Sequence, residues 1–277
     1  MPALTSPLIL QHRANQFSQN GEDGVLAHIF RTIGDGQRTS CEFGAWDGIH
    51  FSNCRKLILD GWSCIMIEGE ESRYRQLCQT YAEVTRVQPV HCFVDTADHS
   101  VDRIMARCGV PTLDLLSIDI DGLDYDIMAS LQVRPRVICI EVNAGHDPAR
   151  SDRLATEVAR NNIGQPLGAF TKLASEMGYR LAGYNGNAFF VRNDCMTAAG
   201  WSSLTAEQAY DAFIDAATTD EREWLYLVNL GKVAPFYEYG NGRLAPDRLG
   251  VSALRSAVLV AKSAAYRSLR SAKRALK

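Results

Sequence analysis

No apolar run in this 277-residue chain approaches the length that crosses a bilayer, roughly 20 residues. The opening stretch, MPALTSPLILQHR, has no basic segment ahead of its short apolar patch and no signal-type cleavage site, so it does not read as a secretory leader. C-x-x-C pairs are missing too. The eight cysteines stand singly, which argues against a structural zinc site. Cys64 and Cys139 sit inside apolar runs, where cysteine behaves as a small buried hydrophobe, and the chain is expected to hold free thiols in a reducing cytoplasm. No repeat is visible at solenoid periods. The dinucleotide fingerprint G-x-G-x-x-G is absent. Acid is absent after Leu249: the last 29 residues carry seven basic side chains and no carboxylate.

That last absence divides the chain. The overall charge of −3 hides a body, residues 1–248, with 22 basic against 32 acidic residues, a net −10. An acidic body excludes a broad nucleic-acid surface.

Periodicity supplies the fold class. Val25, Leu26, Ile29, Phe30 and Ile33 share one face of a helix over Glu22–Ile33, with Gly34 placed to stop it. Apolar strands then alternate with helices: strands over Ser40–Phe43, Ser63–Ile67, Arg86–Val94, Leu113–Ile120 and Arg136–Val142. Strands this apolar imply βαβ units and a parallel sheet covered on both faces. After a helix around Phe170–Met177 the pattern changes. Tyr179–Tyr184 and Asn187–Arg192 flank Asn185-Gly186, a strong hairpin signal, so the sheet should end antiparallel.

Ligands of open α/β sheets bind at the carboxyl ends of the strands. The first strand ends in Glu42-x-Gly44-x-x-x-Gly48, two glycines where backbone can approach a ligand and an acid that can take a cationic amine. The second ends in Glu68, suited to a ribose diol, and the third in Asp95, placed to meet an adenine amino group. The fourth runs into Asp119-Ile120-Asp121-Gly122, and the fifth into Glu141-Val142-Asn143. Asp119, Asp121 and Asn143 could converge at one cleft, either as a base or as ligands for a hard cation such as Mg²⁺. Asp121-Gly122 also suits a plain turn and helix cap. His146 is a second candidate base near neutral pH.

The blocks Ser18-Gln19-Asn20-Gly21-Glu22-Asp23-Gly24, Cys41-Glu42-Phe43-Gly44-Ala45-Trp46-Asp47-Gly48 with Ser52-Asn53, and Leu116 through Tyr125 together resemble the FkbM-like methyltransferases over about residues 16–143. The resemblance implies an α/β class I methyltransferase, Rossmann-like, with a mostly parallel seven-stranded sheet ending in an antiparallel hairpin and helices on both faces. It implies S-adenosyl-L-methionine as cofactor and O-methylation of a hydroxyl on a small-molecule or glycan acceptor. Carried over, Glu42, Gly44 and Gly48 match the cofactor loop, Glu68 the ribose acid and Asp119 the acid beside the methyl group. Metal-dependent O-methyltransferases share the Asp-x-Asp followed by a strand-end Asn, so Mg²⁺ stays an open alternative. This chain departs from the pattern at Val142, where an aromatic residue is common, and at Gly145-His146-Asp147. The rivals are a nicotinamide-dependent oxidoreductase and a methyltransferase-like binding protein without turnover.

The expected organisation is a methyltransferase domain over 1–193, an aromatic-rich helical extension over 194–248 and a basic amphipathic tail helix over 249–277. On that helix Val251, Leu254, Val258, Ala261, Ala265, Leu269, Ala272 and Leu276 share a face, with the basic residues on an adjacent arc. Such a helix can lie peripherally on an anionic membrane, at its inner face in the cell, dock on an acidic partner, or dock on its own acidic domain.

Overall fold

The computed structural model describes residues 7–120, 122–156, 159 and 164–218. The tail helix therefore lies outside the described residues. The order of elements is α1 (Glu22–Ile33), β1 (Thr39–Phe43), α2 (Arg55–Leu59), β2 (Ser63–Glu68), α3 (Glu71–Thr80), β3 (Val87–His91) and α4 (Val101–Cys108). Then come β4 (Leu115–Ile118), α5 (Asp124–Ser130), β5 (Val137–Glu141), α6 (Leu167–Glu176), the hairpin β6 (Tyr179–Tyr184) and β7 (Asn187–Arg192), α7 (Asn193–Ala198) and α8 (Ala206–Ala216).

The strands form one seven-stranded sheet in the order β3-β2-β1-β4-β5-β7-β6. Every pairing from β3 to β5 is parallel, and β7 runs antiparallel to both β5 and β6. One reversed strand inserted between the fifth and sixth defines the class I methyltransferase sheet, as the sequence led us to expect.

Strand alternation feeds two cores. Cys41 and Phe43, Leu116 and Ile118, Ile138 and Ile140 point to the face covered by α4, α5, α6 and α8. Leu115, Val137 and Cys139 point to the other face, under α1, α2, α3 and α7. The apolar stripe of α1, from Val25 to Phe30, is buried there. The described part of the C-terminal extension packs on the same sheet: Met196 joins one core, Tyr210, Phe213 and Ile214 the other. No helix among the described residues is long and apolar enough to cross a membrane, and all eight cysteines are free thiols.

The sheet's lower end is held by a buried acid. Asp114, 3% exposed, accepts the amides of Gln37 and Thr39 at 2.9 and 3.0 Å and the Arg136 guanidinium at 3.3 Å. Arg136 also donates to the carbonyls of Ile33 and Gly34, which closes the end of α1. One carboxylate thus fixes the entry to β1 against the starts of β4 and β5. Asp114→Ala would orphan two amides and leave a half-buried guanidinium short of its counter-charge. We expect a loss of about 3 kcal/mol or more in chemical denaturation, with an unchanged m-value.

Candidate active site

The strand order turns back between β1 and β4: the chain runs outward from β1 through β2 to β3, then returns to place β4 on β1's other side. A crevice outside the carboxyl ends follows from that switch. A cleft of about 340 Å³ lies there, and Glu42, Gly44, Glu68 and Asp119 all border it. Four of the residues expected to hold a cofactor are therefore brought together.

Gly44 shows why the loop after β1 must begin with glycine. Its φ is +72°, and a Cβ at this position would sit 2.2 Å from the carbonyl oxygen of Asp119. The ends of β1 and β4 touch backbone to backbone, and that contact forms the cleft floor. Gly48 has a different role. It does not border the cleft; its missing Cβ makes room for the Tyr81 ring, and the Tyr81 hydroxyl donates to its carbonyl at 2.6 Å. Gly48 shapes the loop from beneath.

Glu42 is buried at 4% exposure. It accepts the Ser52 hydroxyl at 2.6 Å and the Asn53 amide at 2.7 Å, while Asn53 Nδ2 donates to Ser117 Oγ at 3.0 Å. Burial pushes the Glu42 carboxyl up to about 7, with Asp23 adding to the rise and the Ser52, Asn53 and Cys54 hydrogen bonds opposing it. The acid is thus only partly ionised at neutral pH. Glu68, also buried, accepts the amides of Trp46 at 2.9 Å and Glu70 at 2.7 Å. It closes the loop after β1 over the end of β2.

The remaining expected residues are placed elsewhere. β3 stops at His91, four residues before Asp95. Asp95 does not border the cleft; it accepts the amides of Ala97 and His99 and faces a neighbouring groove beside Asp126. The residues that reach the cleft from this strand are Cys92, Phe93 and Val94. His146 is buried and is not among the residues that border the cleft, and its Nε2 has no hydrogen-bond partner among the described residues. Burial, with a smaller effect from Arg150, lowers its pKa to about 4, so the ring is neutral at pH 7. Asn143 Oδ1 accepts the Gly145 amide at 2.8 Å and braces its own turn. Among the described residues no group of three or more His, Cys, Asp or Glu side chains could hold a metal ion. Asp121 lies outside the described residues. Its neighbour Asp124 accepts the amides of Ile120 and Gly122, both at 2.9 Å, and caps that loop.

Several cleft residues were given no role by the sequence, although Gln19 and Trp46 lie within the blocks that carry the resemblance. Trp46, Phe51 and Phe93 border it, exposed at 36%, 57% and 74%. Trp46 and Phe51 also hold positive φ values of 49° and 58°, a strained backbone for bulky residues and a recurrent mark of functional loops. Arg73 stacks its guanidinium over Trp46 at 5.2 Å. Gln19 arrives from the N-terminal side. It is carried by a strap that Asp23 gathers by accepting the amides of Gln16, Phe17 and Ser18. Glu22 ties the same strap to β7 by accepting from Asn187 Nδ2 at 3.0 Å.

No protein-family model matches the chain, and no curated protein matches it. Among solved structures it is similar to monomeric WbdD at 13% identity over 70% of this chain and 46% of that one, with a TM-score of 0.41. It is similar to the N-terminal domain of EvdMO1, solved in the presence of SAH and D-fucose, at 14% identity over 70% of this chain and 81% of that one, TM-score 0.34. It is similar to the mitomycin 7-O-methyltransferase MmcR at 12% identity over 60% of this chain and 53% of that one, TM-score 0.33. The chain thus spans about half the length of WbdD and MmcR. These likenesses concern the fold, which the order and direction of the seven strands establish by themselves.

Two outcomes follow from the geometry. Gly44→Ala would drive a Cβ into the Asp119 carbonyl at positive φ, and we expect a loss of about 2–4 kcal/mol in thermal or chemical unfolding. Glu42 is raised from 4.5 in the unfolded chain to about 7 in the folded one. The folded state then binds the extra proton, so the stability is fully present below about pH 4.5 and is lost as pH rises through about 7. The ligand-free protein should lose on the order of 2–3 kcal/mol across that window, and Glu42→Gln should flatten the profile measured by denaturant titration.

Proposed function

We propose that the chain is an S-adenosylmethionine-dependent methyltransferase that transfers a methyl group to a hydroxyl of a small-molecule or glycan acceptor. One observation carries this reading. A buried, half-ionised acid and a second strand-end acid flank a backbone-lined cleft at the switch point of a sheet with a reversed seventh strand. The FkbM-like resemblance of the three sequence blocks supports the same reading, as does the acceptor chemistry it implies.

The residues fit such a cofactor. The cleft volume falls in the range of small-molecule sites. When bound, S-adenosylmethionine supplies an electrophilic methyl on a sulfonium. Glu42 would hold the cationic amino end of the ligand, and would ionise fully in doing so. The exposed backbone at Gly44 would let the ligand lie close to the loop. Glu68 keeps lone pairs for a ribose diol while bracing Trp46 and Glu70. Phe93 and Val94 give the nucleobase an apolar wall in place of Asp95. Asp119 borders the same cleft and would supply a carboxylate near the reacting end of the ligand. In-line transfer needs the acceptor oxygen held in register, and that alignment is the largest contribution this chain makes. The acceptor's proton would pass to Asp119, which borders the cleft, or to Asp121, three residues after β4 in the sequence. His146 is a poor base for it, because its ring is buried away from the cleft with its titration near 4.

Calorimetry tests the assignment. S-adenosylhomocysteine should bind, and NAD should not; heat with NAD alone would turn the reading to an oxidoreductase. Binding should tighten about tenfold between pH 6 and pH 8 as Glu42 gives up its proton, with net proton release seen across buffers of different ionisation enthalpy. Glu42→Gln should weaken binding at pH 8 at least tenfold and abolish the pH dependence. Silence with S-adenosylhomocysteine at every pH would overturn the proposal.

A further inference from the structure

The two ends of the sheet carry opposite charge. Glu42, Glu68, Asp119 and Glu141 lie at or just beyond the carboxyl ends of their strands. Arginines stand at the other end: Arg38 immediately before β1, Arg86 before β3, Arg134 and Arg136 before β5, and Arg192 as the last residue of β7. β7 is antiparallel to β5, so its last residue falls beside the start of β5. Arg134, Arg136 and Arg192 border one open groove of about 540 Å³. Asp114 is the one acid among the described residues that border it.

The backbone sets two of these arginines against each other. The last ladder pair of β5 and β7 is Val137–Val191, and the Arg192 amide then donates to the Arg136 carbonyl at 3.0 Å, which extends the pairing by one step. Like charges opposite each other in a sheet cost stability. Each of the two has an acid of its own. Asp114 takes Arg136 at 3.3 Å, and Asp194 takes Arg192 in a two-pronged pair at 2.7 and 2.8 Å. Asp114 has little left to offer, since it also accepts the Gln37 and Thr39 amides and the Thr39 hydroxyl. Arg134 is different. It is exposed, and no carboxylate among the described residues pairs with it. Its Nη1 donates to the Leu131 carbonyl at 2.7 Å and the Val133 carbonyl at 3.5 Å, while its Nε and Nη2 donate to no described residue. Arg192 Nη1 reaches the Arg134 carbonyl at 3.0 Å and ties the two residues together at the groove.

We propose that the groove at the starts of β1, β4 and β5 and the end of β7 is a binding site for a diphosphate group. Guanidinium forks match phosphate oxygens two at a time, and a diphosphate carries the charge that this groove lacks. Arg134 supplies the fork that the protein leaves unspent, and Arg192 flanks it. The groove has the volume of a small-molecule site, so room remains beside the phosphates for the group that carries them. It lies at the opposite end of the sheet from the cleft, and the proposal stands or falls apart from the methyltransferase reading.

Calorimetry and NMR of the full chain test it, with sodium pyrophosphate as the probe in about 0.15 M KCl, a salt level that screens general surface attraction. We expect a Kd below about 1 mM. The Nε–Hε signals of Arg134 and Arg192 should shift along the titration. Arg134→Glu should weaken binding about tenfold or more, and Arg134→Lys should weaken it less, because lysine keeps the charge and loses the fork. ADP is the second probe. Tighter binding than pyrophosphate assigns the rest of the groove to a nucleoside, and equal or weaker binding limits recognition to the diphosphate; both accord with the site. Silence with both probes overturns the proposal. Unchanged affinity in folded Arg134→Glu overturns it too, as does sulfate binding as tightly as pyrophosphate, which would mark general anion attraction only. If the variants do not fold, the wild-type spectrum decides: shifts confined to arginines outside the groove, such as Arg38 or Arg86, overturn the assignment.

Discussion

The backbone contact between Gly44 and the Asp119 carbonyl is the constraint from which the site follows. β1 and β4 are paired in parallel from Ser40 to Glu42, and they remain in contact beyond the last ladder pair because no Cβ intervenes. The loops that leave them then diverge, one over β2 and the other into α5. A crevice opens where the two paths part, floored by main chain. Backbone floors suit a ligand that is polar at both ends, since they offer amides and carbonyls without the entropy cost of fixing long side chains.

Above that floor the main cost is electrostatic. A carboxylate at 4% exposure is held against desolvation by one hydroxyl and two amides, and these do not suffice to keep it ionised. Such an arrangement spends folding stability at neutral pH. A positive charge placed beside it would restore the balance, because it would supply what the hydrogen bonds lack. The loop Ser52–Cys54 hangs from the same carboxylate, so the ionisation of Glu42 and the placement of that loop share a single side chain.

The fold was largely legible because its signals are local. The α1 stripe, the apolar strands and the Asn185-Gly186 turn each arise from period or turn chemistry, and the hairpin bounds agree to the residue. Strand ends were less legible. β3 keeps apolar residues as far as Val94, but its ladder with β2 ends at His91, because β2 itself runs out at Glu68. That three-residue overhang moves Asp95 out of the cleft and brings Phe93 in. Trp46 and Phe51 escaped for another reason: positive φ at a bulky residue is imposed by the loop's surroundings and leaves no trace in composition. The sequence pattern puts Gly48 beside the ligand together with Gly44, but its partner is the Tyr81 ring, a contact across 33 positions that spacing cannot show.

The charge imbalance of the chain also takes on a different meaning once burial is known. Glu22, Asp23, Glu42, Glu68, Asp114 and Asp124 are all buried, and each gathers hydrogen-bond donors from the strap, the loops or the sheet's lower end. Six of the 32 acids are therefore structural, used to organise irregular segments that have no ladder of their own. Sequence charge alone counts these side chains as surface charge, and burial shows that they serve the backbone instead.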